Sequence, residues 1–150
     1  MSERAKAAMT AQEASDFLAA QRKMQLATIN RDGTPHLVTM FYTVLKGQIA
    51  FWTYRSSQKA LNMTRDQRVT CLVETGDDYF ELQGVQVNGT VRIVEEQEGV
   101  LEIGRLIAAG IAGVPADSLD EYVAYTGRKR FGYLVEPTKM SSWDHRKLLT

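Results

Sequence analysis

Short runs in which apolar and polar residues alternate, joined by tight turns, constrain the fold of this 150-residue chain. Met24–Asn30 alternates in this way, and the second run, His36–Val44, follows Asp32-Gly33. An Asp-Gly pair between two alternating runs is a strong β-hairpin signal. Lys46-Gly47 predicts another turn, into a strand over Ile49–Tyr54. We therefore expect the first half to contain a three-strand meander.

The second half continues the pattern. Its predicted extended segments are Arg68–Thr75, Tyr79–Val94, Phe131–Val135 and Lys139–Trp143. Gly84 and Gly89 interrupt the long run, as bulges or bends do where a sheet curls into a barrel. Consecutive strands with short turns and few helical crossovers favour an antiparallel barrel over a parallel doubly wound sheet. The expected fold class is mainly β with peripheral α-helices.

Helices are predicted beside the strands. Thr10 and Glu13 have capping-box spacing and predict a first helix from about Thr10 to Arg22. The other predicted helices are a short one over Ala60–Arg65, one over Glu95–Ala109 and one over roughly Asp117–Tyr125 that stops at Gly127. No linker, repeat or low-complexity segment divides the chain, so residues 1–150 are expected to form a single domain.

Composition excludes several classes of function. The formal net charge is zero, which argues against a nucleic-acid surface driven by bulk charge. No apolar run approaches the roughly 20 residues needed to span a bilayer. The first residues, Met1–Ala5, lack the apolar core of a signal peptide, and the one cysteine, Cys71, lies in an apolar run typical of a buried strand. We expect a cytoplasmic protein.

Hydrolytic and metal chemistry have little support in the sequence. His36 and His145 are far apart, and neither has ligand spacing with Cys or Asp, so no metal site is predicted. A nucleophile elbow, a Walker loop and a dinucleotide fingerprint are all missing. If the protein is an enzyme, a bound cofactor is expected to perform the difficult step.

The segment Thr53–Lys59 is the strongest candidate for a binding site. It places two serine hydroxyls, Arg55 and Lys59 where a strand gives way to a helix. Free N–H groups and the positive end of the helix dipole favour an anion there, and phosphate is the natural guest. The alternative is a serine N-cap followed by solvated basic side chains.

Two other segments could carry function. Leu37–Phe41 is expected to present an extended edge whose N–H groups could bond a planar heterocycle, although a core strand explains it too. Ser142–Leu148 combines Trp143, an acid, a histidine and two cations. A frayed charged tail is the alternative, but a tryptophan is unusual in one.

Together these segments resemble the pyridoxamine 5′-phosphate oxidase-like split-barrel family. The resemblance covers about Met24 to Val94, with a weaker match at Trp143–Leu148. It rests on Leu26–His36, Thr53–Lys59, Asn62, Arg65–Val69 and Leu82–Val91, in that order and spacing. Within the family, the chain is most similar to the branch predicted to use the deazaflavin coenzyme F-420 instead of FMN.

The resemblance implies a fold, an assembly and a set of contacts. Family members are homodimers of six-stranded split barrels, with two cofactors in clefts between the subunits. By position, Lys59, Ser57 and Arg55 would hold the cofactor phosphate, with Thr53 and Tyr54 lining that end. The strand that contains Val38, Thr39, Met40 and Phe41 would run along the ring. Trp143 and Arg146 would come from the partner subunit.

One departure separates this chain from the flavin-using oxidases. They commonly carry Ser-Arg-Lys at the corner, where this chain has Ser57-Gln58-Lys59. Losing that arginine removes a bidentate phosphate contact and weakens the case for FMN, although Arg55 could compensate. The pyridoxal-binding residues of the true oxidases have no clear match, so vitamin B6 oxidation is the less favoured activity.

The leading hypothesis is a reductase that passes a hydride from reduced F-420 to an unsaturated or quinone-like small molecule. An FMN-dependent oxidase or reductase on the same scaffold is the first alternative, and a non-catalytic flavin-binding carrier or sensor is the second. The catalytic residues stay unassigned. Tyr42, Tyr54 and His145 are candidate proton donors.

Overall fold

The computed structural model describes residues 1–150 and contains five α-helices and seven β-strands. In chain order the elements are α1 Glu3–Ala7, α2 Ala11–Ala20, β1 Lys23–Ile29, β2 Pro35–Phe41, β3 Thr43–Leu45, β4 Gln48–Tyr54, α3 Gln58–Arg65, β5 Arg68–Thr75, β6 Gln83–Val94, α4 Gln97–Ala109, α5 Leu119–Gly127 and β7 Arg130–Asp144. Short 3₁₀ turns lie at Tyr79–Glu81, Ala116–Ser118 and His145–Leu149. None of the helices combines the length and the apolar character that crossing a bilayer requires.

All seven strands belong to one antiparallel sheet with the order β2-β1-β5-β6-β7-β4-β3. The two outermost strands, β2 and β3, are separated in sequence by Tyr42 alone. Their ends must therefore meet, and a sheet whose two edges meet is curled into a barrel. Only the first part of β4, Gln48–Ala50, pairs with β3. From Phe51 to Tyr54, β4 pairs only with β7, so the barrel is left open there.

The expected antiparallel barrel is confirmed, but its strand count and part of its topology differ. The sheet has seven strands instead of six, because Tyr42 divides the predicted His36–Val44 strand into β2 and β3. Tyr42 is buried, and its hydroxyl donates a hydrogen bond to the Leu18 carbonyl. The predicted meander is therefore wrong: β2 pairs only with β1, and β3 pairs only with β4.

The two predicted turns are confirmed. The hairpin between β1 and β2 closes at Ile29 and Pro35 around Asp32-Gly33. Lys46 and Gly47 both have positive φ, 53° and 79°, and join β3 to β4 with two residues. Two positive φ values identify a type I′ turn, whose twist suits a two-residue hairpin.

The second half of the sheet is more regular than its sequence predicts. The two extended segments before and after Pro137 form one strand, β7, whose register against β6 shifts between Asn88 and Gly89, with Thr138 as the extra residue of a bulge in β7. Gly84 was expected to mark a bulge or bend, but it lies in regular pairing. A Cβ atom on Gly84 would overlap the indole of Trp143, so close packing explains this glycine. The segment Tyr79–Glu81 forms a 3₁₀ turn, and β6 starts at Gln83.

The N-terminal region folds onto the end of β7. The capping box of Thr10 and Glu13 is confirmed, but α2 ends at Ala20 instead of Arg22. The preceding helix, α1, was not predicted. It is held near β7 because the Met9 N–H donates to the Ser142 hydroxyl, 3.0 Å away.

Two apolar cores hold the layers together. The larger fills the barrel and includes Leu26, Phe51 and Tyr133, each fully buried. The smaller core lies between the outer face of β4 and β7 and the helices α4 and α5, and it contains Trp52. As predicted, α4 buries Val100, Ile103 and Ile107 on one side. The helices α4 and α5 are therefore a second layer on the sheet.

The outer face formed by β2, β1, β5 and the first part of β6 carries a row of uncharged side chains. The register places Thr39, Gln25, Leu72 and Gln86 opposite one another in neighbouring strands. The adjoining row contains Leu37, which is 65% exposed, with Ala27, Thr70 and Asn88. These two rows form an uncharged, partly apolar strip on the outer face, with the charged residues Lys23, Arg68 and Glu74 at its borders.

Packing at Gly104 provides a test of the second core. A Cβ atom there would overlap the six-membered ring of Trp52. Helix propensity alone predicts that Gly104→Ala stabilises the protein by about 1 kcal/mol. We expect the opposite sign, a net loss of about 1–3 kcal/mol from overpacking, measured by urea unfolding. Gly110→Ala is the control, because its Cβ would meet the flexible Arg22 side chain at 3.3 Å and the Ile107 carbonyl oxygen at an ordinary contact distance of 3.5 Å. A stabilised Gly104→Ala protein would contradict this packing.

Candidate functional site

The candidate anion site lies where β4 ends and α3 begins. Ser57 is the N-cap of α3: its hydroxyl accepts from the Ala60 N–H at 3.2 Å and donates to the Tyr54 carbonyl at 2.8 Å. The N–H groups of Gln58 and Lys59 lie in the first turn of α3. They have no acceptor within the helix and point out of its end. The serine N-cap is therefore present, while the anion site stays a prediction that the free first amides of α3 still allow.

Lys59 lies half-buried at this corner and makes no hydrogen bond or ion pair. Burial, and secondly the nearby Arg130 guanidinium, lower the pKa of its ammonium group. A partly desolvated cation beside another cation is unfavourable unless an anion joins them. The structure thus holds Lys59 in a position that an anionic ligand would stabilise.

Arg130 is the residue of this corner that the sequence analysis missed. Its guanidinium carbon lies 4.0 Å from the ring centroid of Tyr54 and 4.7 Å from that of Trp52. Its Nε donates to the Thr126 carbonyl at 3.0 Å. The pairing of Tyr54 with Arg130 brings it here from β7. The basic run Arg128-Lys129-Arg130 was the available signal, but it lies 71 positions after Lys59, and only the sheet brings the two together.

Tyr54 and Arg55 complete the corner. Thr126 and, after it, Arg130 lower the pKa of the exposed Tyr54 phenol. The Arg55 guanidinium donates to the Arg128 carbonyl at 2.8 Å and lies over the Phe131 ring, 5.2 Å from its centroid. Arg55 therefore joins the end of β4 to the start of β7, and its other guanidinium N–H groups have no partner in the protein.

The donor set of the corner suits a phosphate. Arg55, Lys59, Arg128 and Arg130 gather here, while the four ion pairs of the chain all lie elsewhere. The hydroxyl of Ser56 has no partner within the protein, and that of Thr53 lies 3.3 Å from the Ser57 hydroxyl. Amide, hydroxyl, ammonium and guanidinium donors without a carboxylate are the groups that bind phosphate oxygens.

Asn62 fixes α3 against the barrel. Its side chain is fully buried and donates to the Thr28 hydroxyl and the Asn30 side-chain oxygen, each at 3.0 Å. Arg65, on the same helix, donates to the Ile29 carbonyl. A buried, satisfied polar network orients the elements that share it. The first turn of α3 is therefore held in one position relative to β1.

The predicted ring-binding strand is the edge strand β2, whose outer edge pairs with no other strand. Val38 and Met40 are half-buried and pack against the barrel core, whereas Phe41 is 49% exposed. Thr39 donates to the side chain of Gln25 at 2.7 Å. Because β1 runs towards α3, the His36 end of β2 lies nearer to the corner than Phe41 does.

Trp143 and Arg146 lie away from the corner in the same chain. Trp143 is thirteen positions after Arg130 along β7, on the order of 40 Å of contour at about 3.3 Å per residue. Arg146 forms a bidentate pair with the buried Asp144, at 2.9 and 2.8 Å, which lowers the pKa of that carboxyl. The largest cavity of the chain, about 950 Å³, adjoins Trp143. The chain therefore holds two separate groups of candidate residues.

The other titratable candidates differ in access. Burial raises the pKa of the Tyr42 phenol, whose hydroxyl is already bonded to Leu18, so Tyr42 is unsuited to donate a proton to a ligand. His145 Nδ1 lies 2.7 Å from the Tyr79 carbonyl. Burial raises the pKa of the Cys71 thiol to about 12, and its place in the core confirms the expected buried thiol. The chain has no cluster of three or more His, Cys, Asp or Glu side chains that could hold a metal ion.

The fold is an open antiparallel β-barrel with a cluster of cations at one corner, and comparison with known proteins gives its family. Residues 10–130 match the family described as pyridoxamine 5′-phosphate oxidase. The chain belongs to this family. No curated protein matches the chain.

Solved structures agree with this assignment. The conserved hypothetical protein Rv2991 from Mycobacterium tuberculosis is 39% identical, with a TM-score of 0.91 over 100% of this chain and 94% of its own. An F420 reductase is 22% identical, with a TM-score of 0.63 over 85% of this chain and 94% of its own. A heme binding protein from Mycobacterium smegmatis is 16% identical, with a TM-score of 0.67 over 93% of this chain and 60% of its own. At such identities the last two show the fold alone.

The lowered pKa of Lys59 leads to a pH test of the corner. As the pH rises, Lys59 loses its charge, and it does so below the ordinary lysine value of about 10.4. We expect sulfate, which keeps its charge in this range, to bind more weakly as Lys59 deprotonates. Calorimetric titration should be done on Tyr54→Phe protein, because the Tyr54 phenolate would repel the anion over the same range.

Lys59→Arg in the same background is the matched variant, since a guanidinium stays charged. It should flatten the pH dependence, while Lys46→Arg, at an exposed turn, should leave it unchanged. If the Lys59→Arg protein shows the same pH profile as its Tyr54→Phe parent, Lys59 does not belong to the anion site.

Proposed function

We propose that the protein is an oxidoreductase that binds coenzyme F-420 and transfers a hydride from it to an unsaturated or quinone-like small molecule. The observation that supports this most is the group of cations at the start of α3, which has no carboxylate partner. A coenzyme with a negatively charged phosphate would supply the missing anion. Family membership favours a redox coenzyme over other phosphorylated ligands.

In this proposal the corner binds the phosphate of the coenzyme. Lys59 and Arg130 supply the charge, and the N–H groups of Gln58 and Lys59 supply oriented donors. Ser56 and Arg55 have donors that the protein leaves free. Ser57 would contribute mainly through the cap that orders the turn, since its proton is bonded to the Tyr54 carbonyl. Thr53 and Tyr54 would line the same end.

The ring of the coenzyme would lie along β2, at the opening of the barrel. The unpaired edge of Val38–Phe41 offers main-chain N–H and C=O groups to the polar rim of a planar heterocycle. Half-buried Val38 and Met40 and the exposed Phe41 offer apolar surface beside it. The residues of β2 would thus hold the ring flat while Lys59 holds the other end of the coenzyme.

We further propose that the site is completed in a homodimer. Trp143 and Arg146 lie near the opposite end of β7 from Arg130 and the corner, so the partner subunit would supply them. The uncharged outer face around Gln25, Leu72 and Gln86 is the surface on which two protomers would pair. Symmetric pairing through one patch is the commonest form of assembly.

A deazaflavin supplies the chemistry of a hydride donor when it is bound. The acceptor would gain that hydride, which carries two electrons, and a proton. The protein has to hold the acceptor against the ring and exclude water. Tyr54 and His145 remain candidate proton donors. We also propose that the chain forms a single domain. We propose that it acts in the cytoplasm, since the one thiol, Cys71, is buried and unpaired.

One observation favours FMN as an alternative coenzyme. The Ser57-Gln58-Lys59 triplet lacks the arginine that flavin-using relatives commonly carry, but Arg130 brings a guanidinium to the neighbourhood of Lys59 from β7. That contact could replace the missing one. The coenzyme must therefore be identified by experiment.

Binding of the coenzyme is the direct test. Protein produced in a host that lacks F-420 should be colourless and should quench or shift the fluorescence of added F-420. Lys59→Ala should weaken binding by more than about 1 kcal/mol, close to tenfold, because a charge-assisted hydrogen bond is lost. Arg130→Gln should act in the same direction. Lys46→Ala, at the exposed turn between β3 and β4, is the control.

A yellow preparation with stoichiometric FMN would overturn the choice of F-420 in favour of the flavin enzyme. Tight F-420 binding without turnover against a panel of enones and quinones would support the non-catalytic carrier instead. Unchanged affinity in Lys59→Ala and Arg130→Gln would place the phosphate elsewhere.

A further inference from the structure

The largest cavity of the chain lies between α1 and the C-terminal end of β7. Its volume, about 950 Å³, is near the upper end of the range for small-molecule sites. Half of its lining residues are hydrophobic, and the lining includes Arg4, Tyr79, Lys139, Met140, Trp143 and His145. None of them belongs to the corner at α3 of the same chain, and in the proposed homodimer the Trp143 side of this cavity would face the coenzyme held by the partner.

Two fixed aromatic surfaces line the cavity. Trp143 lies against β6 at Gly84, where any side chain would overlap the indole. Tyr79 and His145 form a second surface, with ring centroids 4.6 Å apart and a hydrogen bond from the histidine ring to the Tyr79 carbonyl. Rings that are held in place on one side can stack a planar guest on the other at little entropic cost. The cavity therefore suits a flat, conjugated molecule.

The charged groups on the lining favour an acidic guest. Arg4 comes from α1 and Lys139 from β7, and neither makes an ion pair or a hydrogen bond within the protein. Glu3 is the one acidic residue of the lining. Two cations approaching from different elements can bind a carboxylate, while the serines at positions 2, 141 and 142 add neutral hydrogen-bonding groups.

We propose that this cavity binds a planar, conjugated carboxylate, stacked on Trp143 and Tyr79 with its acid group between Arg4 and Lys139. Such a molecule would be the hydride acceptor, and that part of the inference rests on the proposed function. The binding itself does not depend on the coenzyme. An experiment can therefore contradict the proposed ligand of the cavity without contradicting the proposed coenzyme at the corner, and the reverse.

Binding can be tested with 2-naphthoate and its neutral counterpart 2-naphthamide, which share one ring system. Calorimetric titration of the full-length protein without coenzyme should show naphthoate binding about tenfold more tightly than naphthamide. Naphthoate should also quench tryptophan fluorescence, and the quench should vanish in Trp143→Phe protein, although that variant retains binding. Quenching that survives in Trp143→Phe protein would point to Trp52 and overturn the location.

Arg4→Gln and Lys139→Gln should each reduce the preference for naphthoate at least about threefold and together should abolish it. Lys46→Gln removes an exposed lysine elsewhere and should leave the preference unchanged. No naphthoate binding, or equal affinity for acid and amide, would overturn the proposal. If naphthoate binds as expected but F-420 does not, the cavity stands and the redox role falls.

Discussion

The unbalanced positive charge at the start of α3 is the feature on which the functional account depends. Lys59 and Arg130 approach each other from different parts of the chain, and burial adds to the cost of keeping the lysine charged. No carboxylate is close enough to form an ion pair with either of them. Proteins seldom bury cations together unless a ligand or a counter-charge joins them. In the proposed function, a ligand supplies the negative charge that these two cations lack.

The barrel and its second layer create this arrangement together. Antiparallel pairing of β4 with β7 sets Tyr54 opposite Arg130, and the guanidinium then stacks on Tyr54 and Trp52. Trp52 fits there because Gly104 of α4 and Gly127 of α5 leave room for its ring. The helices between β6 and β7 thus position the corner as well as covering the sheet. Asn62 fixes the other side by joining α3 to β1.

Local patterns predicted the local structure well. Asp32-Gly33, Lys46-Gly47 and the capping box of Thr10 all act within a few residues, and each appears as expected. Features that depend on contacts between distant residues were harder to predict from the sequence. The break at Tyr42 depends on a hydrogen bond to α2, the role of Gly84 depends on Trp143, and the place of Arg130 depends on strand pairing. A sequence read alone does not show which distant residues such contacts join. The assignment of Trp143 and Arg146 to a partner subunit remains a prediction.

A crystal structure of the protein with bound F-420 would test the central claim most directly. The account predicts phosphate oxygens about 2.8 Å from Lys59 Nζ and within hydrogen-bonding distance of the first amides of α3 and of Arg130. A coenzyme whose phosphate points into solvent, or lies in another cleft with Lys59 and Arg130 still unpaired, would contradict it.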